Sequence, residues 1–268
     1  MTGTKGTRGG GNGIVIQDRD RELLWQLFIM HVADRNQLMV AAGFTSLTRI
    51  NTRLLALYRA GLLRRFFIGF GGAQKALYAL SQKGAHLIGA PLRGPRRRQD
   101  SLLAADFSVL HQLAINDVYC TVRFRPIPVP DVWWVNWMGF TEPIAENVRL
   151  IPDGYVEFQT PAGIDAAFLE VDLGNESMDT WREKAKRYLD LARSGDYARN
   201  FKQPRFRVLV LADAVRRVRS IRAAVADVTE KIFWFATLED VRGKRFFGPV
   251  WQRPTGTEHQ PLFAQQPR

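Results

Sequence analysis

The chain has 268 residues, 46% of them hydrophobic and 24% charged, with a formal net charge of +12. An apolar share near the globular average excludes an intrinsically disordered protein, and no run of about 18 apolar residues is present to span a membrane. The one cysteine, Cys120, excludes an intramolecular disulfide and a cysteine-built zinc site, and the opening MTGTKGTRGGGNG lacks an apolar signal segment, so a reducing, cytoplasmic setting is expected.

The positive charge is concentrated. The first hundred residues hold 16 Lys and Arg against 5 Asp and Glu, whereas the rest hold 22 against 21. A basic segment joined to a balanced one reads as a polyanion-binding module attached to a domain with another task. A merely solvated surface is the alternative.

Residues 1–17 read as a disordered tail rich in Gly and Thr. Asp18 then opens an amphipathic helix through about Ala33, with Leu23, Leu24, Leu27, Phe28 and Met30 on its apolar side. Asp34 caps a short second helix that Gly43 ends, and Thr45 or Ser46 caps a third, along which Leu47, Ile50, Leu54, Leu55 and Tyr58 recur before Gly61. Leu62 to Phe70 reads as a strand, Gly69 to Gly72 as a turn, Ala76 to Leu80 as the return strand, and Ser81 caps a last helix. This order is that of a winged helix-turn-helix over residues 18–90.

The start of the third helix carries Thr48, Arg49, Asn51, Thr52 and Arg53. In helix-turn-helix proteins that end enters the major groove of double-stranded DNA, where Arg pairs with guanine and Asn with adenine. Arg64, Arg65 and Lys75 on the hairpin suit phosphates. The other reading is the solvated side of a helix whose opposite side is core. His31 and His86 stand alone and read as packing or surface residues. Residues 91–100, Pro-rich and basic, read as a linker.

Residues 101–253 alternate between helix and strand. Helix is expected from Ser101 to Tyr119, Met178 to Arg193 and Val215 to Val228. Strands are expected at Val132–Met138, Arg149–Phe158, Phe168–Leu173, Phe206–Leu211 and Lys231–Thr237. That pattern gives an α/β domain with a mixed sheet flanked by helices, followed by a flexible tail over residues 254–268. The chemistry lies in the middle strands. Asp153 precedes one, and Glu170 and Asp172, two apart, face the same side of the next. Three acids beside apolar neighbours repel one another unless a proton or a divalent cation neutralises them, and carboxylates holding Mg²⁺ or Mn²⁺ are the usual means of cutting a phosphodiester. Solvation or a salt bridge to Arg149 or Arg205 is the other reading. Asp117, with His111 to orient it, is a further candidate ligand against simple capping and packing. No G-x-S-x-G, Walker loop or metal-spaced histidine pair occurs.

IPDG followed 17 residues later by LEVD resembles the PD-(D/E)xK nuclease motif, whose two acids hold a metal and whose lysine assists the attacking water. Asp172 stands where that lysine is expected. Lys184 and Tyr188, four apart in REKAKRY, resemble the QxxxY helix of RecB-like members, with lysine in place of glutamine. Over roughly residues 18–253 the chain resembles the plasmid replication-relaxation family, on DRDRELLWQL, LYALSQKGAHLIG, HQLAINDVY, PDG…FLEVDLGNES…REKAKRY and FGPVWQRP. The resemblance implies a winged helix joined to a PD-(D/E)xK-like domain, with Asp153 and Glu170 as metal ligands, Asp172 auxiliary and Lys184 on the phosphate. It also implies plasmid replication or transfer proteins as partners. The competing class is a non-catalytic DNA-binding accessory factor that uses the nuclease-like fold for binding alone.

Overall fold

Apolar residues three and four apart build the first helix, α1 (Asp18–Met30), whose Leu23, Leu24, Leu27 and Met30 are buried. A computed structural model describes residues 14–70, 73–91, 106–144 and 148–263 of the chain. The chain divides into two compact units, residues 1–104 and 105–268. The terminal residues 1–13 and 264–268, the turn residues 71–72, most of the expected linker (92–100) and residues 101–105 lie outside the described residues.

In the first unit, α1 is followed by β1 (Val32–Asp34), α2 (Arg35–Ala41), α3 (Leu47–Arg59), β2 (Leu63–Phe70), β3 (Ala73–Leu80) and α4 (Gln82–Ile88). The helix starts follow their capping residues. Asp34 and Gln37 exchange reciprocal side-chain to backbone bonds at 2.9 and 3.2 Å. Ser46 accepts from the Arg49 N–H and Ser81 from the Gly84 N–H. Gly84 is forced by contact, because a Cβ there would sit 2.2 Å from the Leu62 carbonyl oxygen. The first helix is shorter than expected. His31 takes φ 62° and ends it, which frees Val32–Asp34 to pair antiparallel with β3 in a sheet ordered β1-β3-β2. That pairing covers an edge of β3 that would otherwise stay open.

The second unit holds α5 (Asp106–Phe124), β4 (Trp133–Met138), β5 (Gly154–Thr160), β6 (Gly163–Asp172), α6 (Met178–Ser194), α7 (Asp196–Phe201), β7 (Arg207–Ala212), α8 (Val215–Ala226), β8 (Phe233–Thr237) and α9 (Leu238–Val241), then a 3₁₀ turn at Gly243–Phe247. Its sheet runs β4-β5-β6-β7-β8. The first three strands are antiparallel neighbours, and β6, β7 and β8 are parallel. The two parallel crossovers run through helices, α6 and α7 between β6 and β7 and α8 between β7 and β8. On one face Phe168, Val208, Val210 and Phe233 pack against Trp181, Tyr188 and Ile221 of α6 and α8. On the other, Leu169, Leu209 and Leu211 pack with Ile115 and Val118 of α5. β6 is thus buried on both sides, which explains its near-continuous apolar run.

The flexible tail expected from residue 254 is corrected over its described part. Gln260 pairs with Trp251, and Leu262 and Phe263 are buried in the α5-side core. Arg222 holds the intervening turn through the carbonyls of Arg253 and Gly256. Among the described residues no helix is long and apolar enough to cross a membrane.

Candidate functional site

Pairing between β5 and β6 ends at Gly154 opposite Leu169. Beyond it the Asp153 side chain continues the ladder. The Asp153 backbone N–H donates to the Leu169 carbonyl at 3.1 Å, and its side-chain Oδ2 accepts the Val171 N–H at 2.7 Å. The glycine of PDG is needed here because a Cβ at Gly154 would lie 2.9 Å from the Trp137 ring.

Three elements converge on this strand end. From α5, His111 Nε2 lies 2.8 Å from the Val171 carbonyl and 3.3 Å from Asp153 Oδ2. Both neighbours are acceptors, so this nitrogen carries the proton. Burial pulls the His111 pKa down, but the Asp153 carboxylate and the Val171 carbonyl outweigh it and hold it above its ordinary value. From β6, Glu170 is 2% exposed. From α6, Lys184 Nζ donates to Glu170 Oε2 at 2.9 Å and Tyr188 OH to Oε1 at 2.5 Å. Lys184 also meets Glu176 at 2.7 Å, whose second oxygen is buried without a partner.

The electrostatics follow from this crowding. Burial pushes Glu170 up to about 7, against the pull of Lys184 and with help from the nearby charge of Asp153. Burial alone would lower Lys184, but Glu170 and then Glu176 raise it above its usual range, so it remains an ammonium. Tyr188 is raised by burial and by Glu170, and remains a donor.

Asp172 requires a correction. It shares the α6 side of β6 with Glu170, as its spacing predicts, and like Glu170 it has both oxygens held by donors, here including a paired guanidinium. Arg217 of α8 grips both its oxygens at 2.8 Å, Trp181 Nε1 donates at 2.8 Å, and the Gly174 N–H donates at 2.6 Å. Burial would raise its pKa, yet these bonds hold it below the usual carboxylate range. Among the described residues no three His, Cys, Asp or Glu side chains are grouped so as to hold a metal ion. The expected three-acid cluster is therefore reduced to Asp153 and Glu170. The Asp117–His111 pairing also fails, since six residues turn about 240° around a helix. Asp117 lines a pocket with Leu238, Val241 and Arg242 instead. Neither Arg149 nor Arg205 pairs with either acid; the partners are Lys184 and His111.

In the first unit, Arg49, Asn51 and Thr52 are exposed along the start of α3. Arg53 is corrected. Its guanidinium bonds both oxygens of the buried Asp20 and the Val15 carbonyl at 2.7 Å, tying α3 to α1. It stands three residues after Ile50 and four before Leu57, both buried, so helical spacing alone placed it beside the core stripe. Lys75 pairs with Asp34 at 2.5 Å and is half exposed. Arg64 lies 4.9 Å over the Phe66 ring, and Arg65 lies 4.6 Å over Tyr58.

Residues 29–203 match the model of the family described as replication-relaxation, well over half of the chain. No curated protein matches it. Among solved structures it is similar to the restriction endonuclease FokI, at 12% identity and a TM-score of 0.34, over 83% of this chain and 42% of that one. The chain thus spans less than half of FokI, a likeness too slight to bear on fold or activity.

Proposed function

The chain belongs to the replication-relaxation family, and from that premise we propose a cytoplasmic DNA-binding protein of plasmid or mobile-element maintenance. Its N-terminal unit is read as a winged helix that holds duplex DNA. Its C-terminal unit is read as a nuclease-like domain with a metal-dependent phosphodiester-cleaving centre at Asp153, Glu170 and Lys184, working beside plasmid replication or transfer proteins.

The observation that supports this reading most is the meeting of Lys184 with Glu170 at 2.9 Å, beside Asp153. The lysine arrives from α6 and supplies the cation that the strand lacks at Asp172. Asp153 and Glu170 offer the oxygen atoms that a hard cation takes, and such an ion would share Glu170 with Lys184 and Tyr188. Mg²⁺ or Mn²⁺ takes oxygen ligands and keeps several waters, so two carboxylates suffice. Asp153 and Glu170 would hold it. When bound, such an ion polarises a phosphoryl oxygen and activates water. Tyr188 orients Glu170, and the His111 N–H bridges Asp153 and the Val171 carbonyl. Lys184, anchored by Glu176 as well, keeps an ammonium where charge develops on an attacked phosphate.

A second reading has its own support. The capture of Asp172 by Arg217 and Trp181 leaves fewer acids than a two-ion centre uses, which suits a fold retained for binding DNA or a partner protein. Calorimetric titration of Mg²⁺ and Mn²⁺ into the parent and into Asp153→Ala separates the two. The nuclease reading expects saturable heat in the parent that the variant loses; no heat in either leaves the accessory-factor reading.

A further inference from the structure

We infer that the N-terminal unit also carries a stacking site for unpaired nucleotides, formed by Tyr58 of α3 with Arg65 and Phe67 of β2. The inference rests on the reading of this unit as DNA-binding and names the form of DNA that this surface takes. Arg65 Cζ lies 4.6 Å from the centre of the Tyr58 ring and 5.2 Å from that of Phe67, so one guanidinium serves both rings. Both rings also face solvent. Tyr58 is 38% exposed and Phe67 47%. Phe67 stands on β2, an edge strand among the described residues, and the residue opposite it on β3 is the small Ala76.

The charge around these rings selects an anionic ligand. Residues 35–91 hold eight Lys and Arg and no Asp or Glu. The buried acids nearest in sequence, Asp20 and Asp34, are taken by Arg53 and Lys75. An anion that also offers flat aromatic faces is a nucleotide. In a duplex those faces are hidden by stacking, and the backbone presents phosphates that meet cations but leave Phe67 in water. Unpaired bases expose their faces, and a base stacked on an aromatic ring beside a guanidinium gains roughly fivefold or more in affinity. The exposed aromatic pair therefore adds nothing to duplex binding and contributes when the strands are parted.

The test is fluorescence anisotropy of the full chain in EDTA, with one oligonucleotide sequence as single strand, duplex, and duplex with an internal unpaired bubble. Phe67→Ala and Tyr58→Ala are each expected to weaken single-strand and bubble binding at least fivefold while changing duplex binding less than twofold. Phe67→Leu, which keeps an apolar side chain but removes the π face, is expected to behave like Phe67→Ala, and so separates stacking from loss of packing. Equal losses on all three DNAs, or no loss on any, overturn the stacking site and leave the DNA-binding reading standing. Self-association of the parent that Phe67→Ala abolishes, with DNA binding unchanged, also overturns it and assigns the rings to a second copy. Failure of the parent to bind any of the three DNAs removes both readings together.

Discussion

In the N-terminal unit Arg49 and Arg59 of α3 are exposed, and the two buried acids hold Arg53 and Lys75 in place. In the C-terminal unit the acids of β6 face inward, Glu170 between Lys184 and Tyr188, Asp172 between Arg217 and Trp181. Exposed charge is inexpensive and answers to salt. Buried charge is costly, and it survives only with donors in place. The first unit therefore leaves Arg49 and Arg59 open to solvent, whereas the second keeps Glu170 and Asp172 within the fold, where burial and their donors set their ionisation.

That contrast can be broken most severely at Arg217. Replacing it with Met leaves Asp172, which is 0% exposed, with an uncompensated charge, and the expected cost is about 3–5 kcal/mol of stability by denaturant unfolding. Lys184→Met is a gentler case, because Glu170 can take up a proton.

Glu170 gives the next effect, and its sign is definite. Its pKa rises on folding from an ordinary 4.5 to about 7, so the folded protein binds the extra proton. This contribution is fully present below about pH 4.5 and is lost as pH rises through about 7. His111 is also raised and acts in the same direction, while the lowered Asp172 contributes above its ordinary value of 3.8 and is lost in acid. Glu170→Gln is therefore expected to flatten the fall in stability between pH 5 and 8, by an amount on the order of 3 kcal/mol at 1.36 kcal/mol per pKa unit. An unchanged pH profile in the variant would show that Glu170 does not titrate in that window.

Two arginines four residues apart on α3 sharpen the contrast within one helix. Arg49→Ala is expected to cost about 1–3 kcal/mol in duplex affinity at one base position, with melting unchanged. Arg53→Ala is expected to do the reverse, lowering the melting temperature because Asp20 loses its partner and leaving DNA affinity of the folded protein nearly as it was. The smallest effect is expected from Arg64→Ala, which should reduce the slope of log affinity against log salt by about 0.9, one phosphate contact.

How much of this was readable in advance depended on whether the determining partner was local. Caps at Asp34 and Ser81 bond within three residues and could be read directly, and of the two candidates for α3, Thr45 and Ser46, it is Ser46 that bonds. Asp153, Glu170 and Lys184 were singled out by the resemblance to the PD-(D/E)xK motif and its QxxxY helix, and the structure brings Lys184 against Glu170. Asp172 has the same spacing as Glu170 and was assigned to a metal, but its fate is decided by Arg217, 45 residues away, and no local pattern announces that pair. The short strand Val32–Asp34 exists because β3 offers it an edge, and residues 260–263 are ordered because Trp251 and the α5-side core receive them. His111 meets Asp153 and not Asp117 because six residues along a helix turn about 240°, whereas the four between Lys184 and Tyr188 keep those two on one side.

The central claim, that a DNA-holding unit is joined to a unit that cuts, is met most directly by plasmid nicking with Mn²⁺ under conditions where anisotropy shows equal DNA occupancy for every variant. The account predicts metal-dependent nicking by the parent, none by Asp153→Asn, and nicking by Lys184→Ala that is strongly slowed while its Mn²⁺ affinity persists. Full occupancy with no nicking in Mn²⁺ or Mg²⁺, or nicking that Asp153→Asn leaves intact, would contradict it.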